Sequence, residues 1–167
     1  MIQSISGVRD DRKWFYLGLR HLRMAFRLLR SGFADGAVFH AYHCYECLLS
    51  AVIAANGYPV PPEGWTRIAL ATGVIVEAYR SPEGFVQDRN AHRARIILFD
   101  QLVDQTRPYR ADHQLLRTYL RYQVRLDALY YDPSRAQLPE DAYTAKYAVG
   151  VTSLLLRFSR EVRKEIA

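Results

Sequence analysis

The segment from Gly36 to Ala55 constrains the fold most, because it is apolar on almost every side of the helix that it predicts. Its few polar side chains fall on one narrow strip: His40, His43, Glu46 and Ser50. A helix with so little polar surface normally contacts neighbours on several sides. Asp35 predicts its N-cap, and Asn56-Gly57 predicts its end. We therefore expect the rest of the chain to pack around this second helix.

Apolar residues recur at steps of three and four in the flanking segments, which predicts further helices. Helix one is predicted from Asp11 to Ser31, and its core stripe is Phe15, Leu19, Leu22, Phe26 and Leu29. Helix three is predicted from Asp88 to Thr106, and helix four from an Asp112 cap to Tyr131. Helix five opens at Pro139-Glu140-Asp141, because proline and acidic residues are typical of a helix N-terminus.

The segment from Tyr58 to Gly84 has a weaker pattern. Its prolines predict an extended entry. The part from Arg67 to Tyr79 fits a short helix or a pair of strands, and of these we predict the helix. The fold class is then all-α: an up-and-down bundle of four long helices plus a short helical or irregular insertion. Residues 1–167 are predicted to form a single domain.

Charge and apolar content indicate the cellular compartment and the class of protein. The net charge is +6, and 20 of the 23 basic residues are arginine. The longest apolar stretches, near residues 48–55 and 148–156, are shorter than the ~20 residues that span a bilayer. No signal-peptide pattern opens the sequence. We expect a cytoplasmic protein that is not in a membrane, with Cys44 and Cys47 as reduced core thiols.

Two segments carry a resemblance to a known family. In helix two the sequence reads Ala41-Tyr-His-Cys-Tyr-Glu-Cys-Leu-Leu-Ser-Ala-Val, and Gly57-Tyr-Pro follows it. In helix four it reads Arg125-Leu-Asp-Ala-Leu-Tyr-Tyr-Asp. Together they resemble the HEPN family (higher eukaryotes and prokaryotes nucleotide-binding), in which helix two carries the glutamate that aligns with Glu46. The resemblance extends from about Asp11 to Val162, and Ser50 stands where the family usually has lysine.

The resemblance implies a HEPN-like helical bundle that dimerises and that binds or cleaves RNA or nucleotides. Many members are metal-independent ribonucleases of toxin–antitoxin or phage-defence systems, often paired with a nucleotidyltransferase antitoxin. Their site is an arginine followed, after four to six residues, by a histidine. Histidine near its neutral pKa can accept the ribose 2′-OH proton, and arginine can stabilise the charge that develops on the phosphate.

This chain departs from that pattern at helix four. Five residues after Arg125 stands Tyr130, and tyrosine is a poor general base at neutral pH. Arg107 and His113 match the spacing literally, but they lie where helix four begins. The sequence Arg89-Asn-Ala-His92 has the right residue types at the wrong spacing and is either a surface cluster or part of the same cleft.

An arginine face is a second candidate surface. Arg117, Arg121 and Arg125 are four residues apart, so they share one face of the predicted helix four. With Tyr122, Tyr130 and Tyr131 they form a candidate surface that grips phosphates and stacks on bases. The alternative is a solvated face paired with Asp127 and Asp132. The arginines of helix one are interpreted as structural, their stems covering the edge of the core.

Metal chemistry is the weaker interpretation of the helix-two cluster. His40, His43, Cys44 and Cys47 are zinc-ligand types, but one helix rarely supplies all four ligands. We predict packed core residues, and neither a metal nor a cofactor.

The sequence therefore predicts a homodimer that binds or cleaves RNA in a toxin–antitoxin or defence system. Candidate catalytic residues are Arg125, Tyr130, His113 and His92. Candidate RNA-binding residues are Arg117, Arg121, Arg125, Tyr122, Tyr131, Arg107 and Arg89. The alternative is a non-catalytic module that binds a nucleotidyltransferase or another effector.

Overall fold

A computed structural model describes residues 9–88, 90–103, 106–121, 124 and 143–166. These residues form five helices: α1 (Asp10–Arg30), α2 (Ala34–Ala55), α3 (Ala91–Leu102), α4 (Arg110–Tyr119) and α5 (Ala145–Glu165). They also form three strands: β1 (Trp65–Ala69), β2 (Ile75–Ser81) and β3 (Gly84–Val86). The fold is mostly helical, as predicted, but it is not all-α. Three of the five helices are long, with 21, 22 and 21 residues.

The second helix is central, as its composition predicts. α2 packs against α1, α3 and α5, and 14 of its 22 residues are buried. Its closest neighbour is α1, which crosses it at Gly18. A Cβ atom at Gly18 would lie 3.2 Å from the Cβ of Cys47, so glycine permits the close approach of the two helices.

The apolar stripe of α1 is displaced from the one predicted. The fully buried apolar positions are Phe15, Gly18, Leu22 and Ala25. Phe26, which the stripe was predicted to include, is 36% exposed. Gly18 faces α2 at a point where the two helices lie too close together for a larger side chain between them.

The insertion is a sheet, so the predicted helix over residues 67–79 is wrong. β1 pairs antiparallel with β2, with Trp65 opposite Tyr79 and Ala69 opposite Ile75, and β3 adds to the other edge of β2. The β-branched run of residues 74–76 favours a strand. Gly73 supplies the positive φ of the turn, at +78°.

One face of this sheet joins the helices. Tyr79 and Val86 are buried in an apolar cluster with Ile53 of α2 and Leu98 of α3. Trp65 stacks on Tyr79 with ring centroids 5.1 Å apart. The sheet is therefore anchored beside the α2–α3 contact rather than standing free.

Two predicted N-caps are wrong. α2 begins at Ala34, so Asp35 lies inside its first turn, where a carboxylate stabilises the positive end of the helix. α4 begins at Arg110, which places Asp112 inside the helix as well. Asp112 accepts two hydrogen bonds from Arg157 of α5, at 2.8 and 2.5 Å, so its carboxylate joins two helices.

Three predicted helix bounds also differ. α4 ends at Tyr119, where the backbone of Leu120 leaves the helical region at ψ 56°, so one helix does not continue to Tyr131. α5 begins at Ala145, with the Thr144 side chain accepting from the Tyr147 N–H, and not at Pro139, which lies outside the described residues. α3 is shorter than predicted, because the Asn90 side chain caps its start and Val103 is already extended.

α2 is also the one described helix that is long and apolar enough to cross a membrane, with a mean hydropathy of 1.2 over its most apolar window. However, 78% of that window is buried inside the protein. A core helix of a soluble protein passes the same test, so this is weak evidence for a membrane segment.

Candidate functional site

Side chains of α2 and α3 converge on one carboxylate in the polar strip of α2. Glu46 is 8% exposed and receives side chains from two helices. Its Oε1 contacts His92 Nδ1, lies 3.3 Å from Arg95 Nη1 and accepts a hydrogen bond from Tyr42 at 3.2 Å. Its Oε2 lies 3.4 Å from His43 Nδ1. We call Glu46, His43, His92 and Arg95 the Glu46 cluster.

Glu46 is ionised despite its burial. Burial alone raises the pKa of a carboxyl group, because it disfavours the charged form. Hydrogen bonds from His43 and His92 and the positive charge of Arg95 outweigh it and lower the pKa of Glu46 to about 2. An ionised carboxylate only accepts hydrogen bonds, so the His92 Nδ1 carries the proton. The other ring nitrogen, Nε2, is therefore the one that can accept a proton.

Arg95 is a structural cation of this cluster. Its side chain is 11% exposed. One terminal nitrogen faces Glu46, and the other donates to the Pro61 carbonyl oxygen at 2.6 Å. Its guanidinium lies 6.0 Å from the centroid of the Trp14 ring. Arg95 thus ties the loop that enters the sheet to the carboxylate of α2.

Two further histidines extend the cluster towards α1. His21 of α1 and His40 of α2 face each other with their Nδ1 atoms 2.9 Å apart. The His21 ring also lies 5.4 Å from that of His43. Burial, together with the neighbouring His43, His40 and Arg20, lowers the pKa of His21 to about 4. Burial likewise lowers the pKa of His40. Four of the five histidines therefore form one row across three helices.

The fifth histidine lies in a second, buried network. His113 is 0% exposed. Its Nε2 bonds Asp100 at 3.0 Å, and its Nδ1 lies 3.1 Å from the Tyr45 hydroxyl. Burial raises the pKa of Tyr45 well above its ordinary value, so the phenol stays protonated and donates to Nδ1. Phe99 packs on the ring with centroids 4.4 Å apart. Both ring nitrogens are used inside the protein, so His113 is a structural residue here.

Asp100 contacts two arginines in addition to His113. Arg110 and Arg117 each place a nitrogen 2.7 Å from it. Burial favours a raised pKa, but the hydrogen bond and charge of His113 and the two arginines lower the pKa of Asp100 overall. Arg117, a predicted RNA-binding residue, is thus acid-paired, although its side chain is 56% exposed. The sequence had not indicated Asp100 as its partner.

The remaining predicted site residues either lie apart from one another or lie outside the described residues. Arg107 pairs with Glu165 of α5 at 3.0 Å, whereas His113 points into the core, so this literal arginine–histidine match has no shared contact. Arg121 follows the end of α4 and shares no helical face with Arg117. The other candidates lie outside the described residues: Arg89, Tyr122, Arg125, Tyr130 and Tyr131. For these the sequence-based expectation stays a prediction.

The structure adds His21, Arg95 and Asp100 to the residues that the sequence singled out. Arg95 stands three residues after His92, which places both on one face of α3 and was the available signal. His21 gave no such signal, because its partners come from another helix.

The cysteines of α2 do not form a metal site with the histidines. Within the described parts of the chain, no group of three or more His, Cys, Asp or Glu side chains could hold a metal ion. Cys44 and Cys47 are free, buried thiols. Burial raises the pKa of Cys44 well above its ordinary value and that of Cys47 to about 12. His40 turns instead to His21.

Comparison with known proteins gives one match. A family model described as the HEPN domain matches residues 12–96, about half of the chain. That span contains the whole Glu46 cluster and ends before Asp100 and His113. No curated protein and no solved structure matches the chain. HEPN domains commonly bind RNA or nucleotides and dimerise. The order of α1, α2 and α3 and the match over residues 12–96 together show that this chain belongs to the HEPN family.

Proposed function

We propose that this protein binds RNA and cleaves it without a metal ion, with His92 of the Glu46 cluster as the proton acceptor. The observation that supports the proposal most is the contact of His92 Nδ1 with the ionised Glu46. It holds the imidazole in the tautomer whose basic nitrogen is Nε2, while the side chain stays 27% exposed. His113, the other histidine candidate, is fully buried.

The chemistry is a transfer within the RNA strand. The Nε2 of His92 accepts the proton of a ribose 2′-OH, and the 2′-oxygen attacks the adjacent phosphorus. The bond from phosphorus to the 5′-oxygen breaks, and that oxygen takes up a proton. The products are a 2′,3′-cyclic phosphate and a 5′-hydroxyl. His43, which faces the same carboxylate and is 23% exposed, is our candidate for the group that donates this proton.

An arginine is needed beside these histidines to stabilise the charge on the phosphate. The expectation for Arg125 stays a prediction, because that residue lies outside the described ones. Arg93 follows His92 directly and pairs with Asp88 at 3.2 Å, but its side chain is 75% exposed, so it is a second candidate. We also propose that the protein acts as a homodimer, in a toxin–antitoxin or phage-defence system with a nucleotidyltransferase-type antitoxin or another defence protein as its partner.

The test is cleavage of a mixed RNA pool in EDTA by the wild type, His92→Gln and Arg125→Ala. We expect His92→Gln to lower the cleavage rate by about 10²-fold or more, because general-base catalysis is worth that much. His40→Gln is the matched control: it removes a histidine of the same row that does not contact Glu46. Thermal unfolding of each variant separates loss of activity from loss of fold.

Three results are informative. Loss of cleavage in His92→Gln, with the His40→Gln rate within a few-fold of the wild type, supports the proposal. Equal cleavage by the wild type and His92→Gln contradicts the assignment of His92. RNA binding without any cleavage by the wild type favours the alternative of a non-catalytic module that serves another effector.

A further inference from the structure

The outer face of α1 carries a run of exposed arginines. Arg12, Arg20, Arg23, Arg27 and Arg30 are all exposed. At about 100° per residue they fall within an arc of about 80°, opposite the buried side of the helix. Between Asp11 and Asp35 the sequence contains no carboxylate. Among the described residues, none of the five takes part in an ion pair. We call these five residues the α1 basic stripe.

Aromatic side chains are interleaved with the stripe. Tyr16 is 63% exposed and Phe26 is 36% exposed. Phe26 lines an open cleft of about 410 Å³ with Arg23, Arg27 and Arg30. At the other end of the helix, Tyr16 and Arg12 line a second open cleft of about 340 Å³ with Arg163 of α5. Each end of the stripe therefore combines guanidinium groups with an exposed ring.

Packing does not account for this arrangement. Arginines at steps of three and four repel one another, and α1 has no acidic residue after Asp11 to offset the repulsion. Arg27 and Arg30 stabilise the negative end of the helix, but Arg12, Arg20 and Arg23 are too far from it. The interpretation of these arginines as structural therefore leaves most of the stripe unexplained. The spacing of the stripe instead suits a partner with regularly spaced negative charges.

We propose that the α1 basic stripe binds the backbone of single-stranded RNA, on a surface separate from the Glu46 cluster. Guanidinium groups form paired hydrogen bonds with phosphate oxygens. Tyr16 and Phe26 provide faces on which unpaired bases stack, which favours a single strand over a duplex. From Arg12 to Arg30 the stripe is ~27 Å long, so it contacts several successive phosphates. The choice of RNA as ligand rests on the proposed function.

The test compares two triple variants with the same change in net charge. One replaces Arg20, Arg23 and Arg27 by Gln. The control replaces Arg67, Arg80 and Arg160, which are exposed on the sheet and on α5, by Gln. Both are made in a His92→Gln background, so that cleavage does not consume the probe. The probe is a fluorescent single-stranded RNA of mixed sequence, and its dissociation constant is measured from low to physiological salt.

We expect the stripe variant to weaken binding by at least tenfold and to reduce the slope of log affinity against log salt by about 2, since each lost phosphate contact contributes about 0.7. The control should stay within about twofold of the parent. Tyr16→Ala should weaken binding by about fivefold or more through lost stacking.

Several outcomes overturn the inference, and they differ from failure of the proposed function. Equal weakening by both triple variants would indicate general attraction by net charge. Unchanged binding by the stripe variant, together with RNA cleavage by the wild-type protein, overturns the stripe alone. A change of sedimentation coefficient in place of a change in affinity would assign the face to a second copy of the chain. Absence of RNA binding in the parent and absence of cleavage in the wild type overturn both proposals.

Discussion

Glu46 shows how much one side chain can organise around it. Moving a carboxylate out of water costs several kcal/mol, and only close, well-aligned partners offset that cost. Here the partners come from two helices: His43 and Tyr42 from α2, and His92 and Arg95 from α3. Their positions are therefore coupled, since the removal of any one leaves the others around an imperfectly paired charge. This coupling is what gives the His92 ring a fixed direction.

The histidine row makes the protein sensitive to mild acid. The pKa of His21 is about 4 in the folded protein, below its ordinary value of 6.5. Between these two values the unfolded chain binds more protons than the folded one, so the free energy of unfolding falls as pH decreases from 6.5 to 4. Protonation of His21 is opposed by its burial, by His43 and His40 of α2 and by Arg20, and Glu46 favours it. We expect His21→Gln to flatten this part of the stability curve, measured by urea unfolding at several pH values.

The control for that experiment is Glu63→Gln, which changes an exposed carboxylate in the loop before the sheet. It should keep the wild-type slope between pH 6.5 and 5. Below pH 4.5 a second loss of stability follows, because Glu46 has a lowered pKa in the folded state and becomes protonated as pH falls towards 2. An unchanged slope in His21→Gln would contradict the assignment of the first window to His21.

At the scale of elements, the insertion is held at two glycines with different surroundings. Gly64 precedes β1 with φ +79°, and a Cβ there would lie 2.2 Å from Pro59 Cγ. Gly73 lies in the β1–β2 turn with φ +78°, and nothing lies within 4 Å of its Cβ position. Both positions need the left-handed backbone conformation, but only at Gly64 would a side chain also clash with a neighbouring residue.

Alanine at the two positions separates these requirements. Gly73→Ala should cost about 1 kcal/mol of unfolding free energy, from the backbone conformation alone. Gly64→Ala should cost at least about 1 kcal/mol more, because the added methyl group clashes with a proline ring in a tight loop. Chemical denaturation of both variants measures the difference. Equal costs would mean that the loop at Pro59 yields easily.

The elements that the sequence predicts well are those with one dominant local pattern. The apolar surface of α2 identified the central helix, and its end at Ala55 is where Asn56-Gly57 placed it. The sheet was missed because its 13-residue span from Arg67 to Tyr79 satisfies helix and strand patterns about equally, and the choice depends on contacts of Tyr79 with Ile53 and Leu98. α4 ends early for a reason that lies in the backbone at Leu120, where the residue types give no stop signal.

At the scale of the whole molecule, two apolar clusters meet at one side chain. The larger lies among all five described helices, and the smaller joins α2 and α3 to the sheet. Trp14 of α1 packs against both. The sheet and the described helices therefore share a continuous apolar interior.

Unfolding should accordingly be one cooperative transition. Trp14→Phe leaves Trp65 of β1 as the one tryptophan of the chain. We expect its fluorescence and the helical circular dichroism signal to change at the same denaturant concentration, because the sheet loses its buried face when α2 and α3 separate. Loss of the Trp65 signal well before the helical signal would show that the insertion unfolds by itself.

The candidate site was predictable in part at this scale. The sequence identified the polar strip of α2 from its spacing, and it named His92 from its residue type, although the spacing of His92 from Arg89 does not match the family pattern. It did not indicate that His92 and His21 approach the strip from opposite sides, because that depends on how α1 and α3 pack against α2. It ranked His113 beside His92, although one lies wholly inside and the other at the surface, and burial of an isolated histidine has no local signature.

The close crossing at Gly18 has a consequence for the thiols behind it. Cys44 and Cys47 lie under α1, and burial keeps both in the protonated form. Alkylating reagents and peroxides react with the thiolate and need access to sulfur, so neither thiol reacts while the two helices are in contact. Modification requires α1 to separate from α2. The rate at which this protein consumes a thiol reagent therefore reports how often α1 separates from α2.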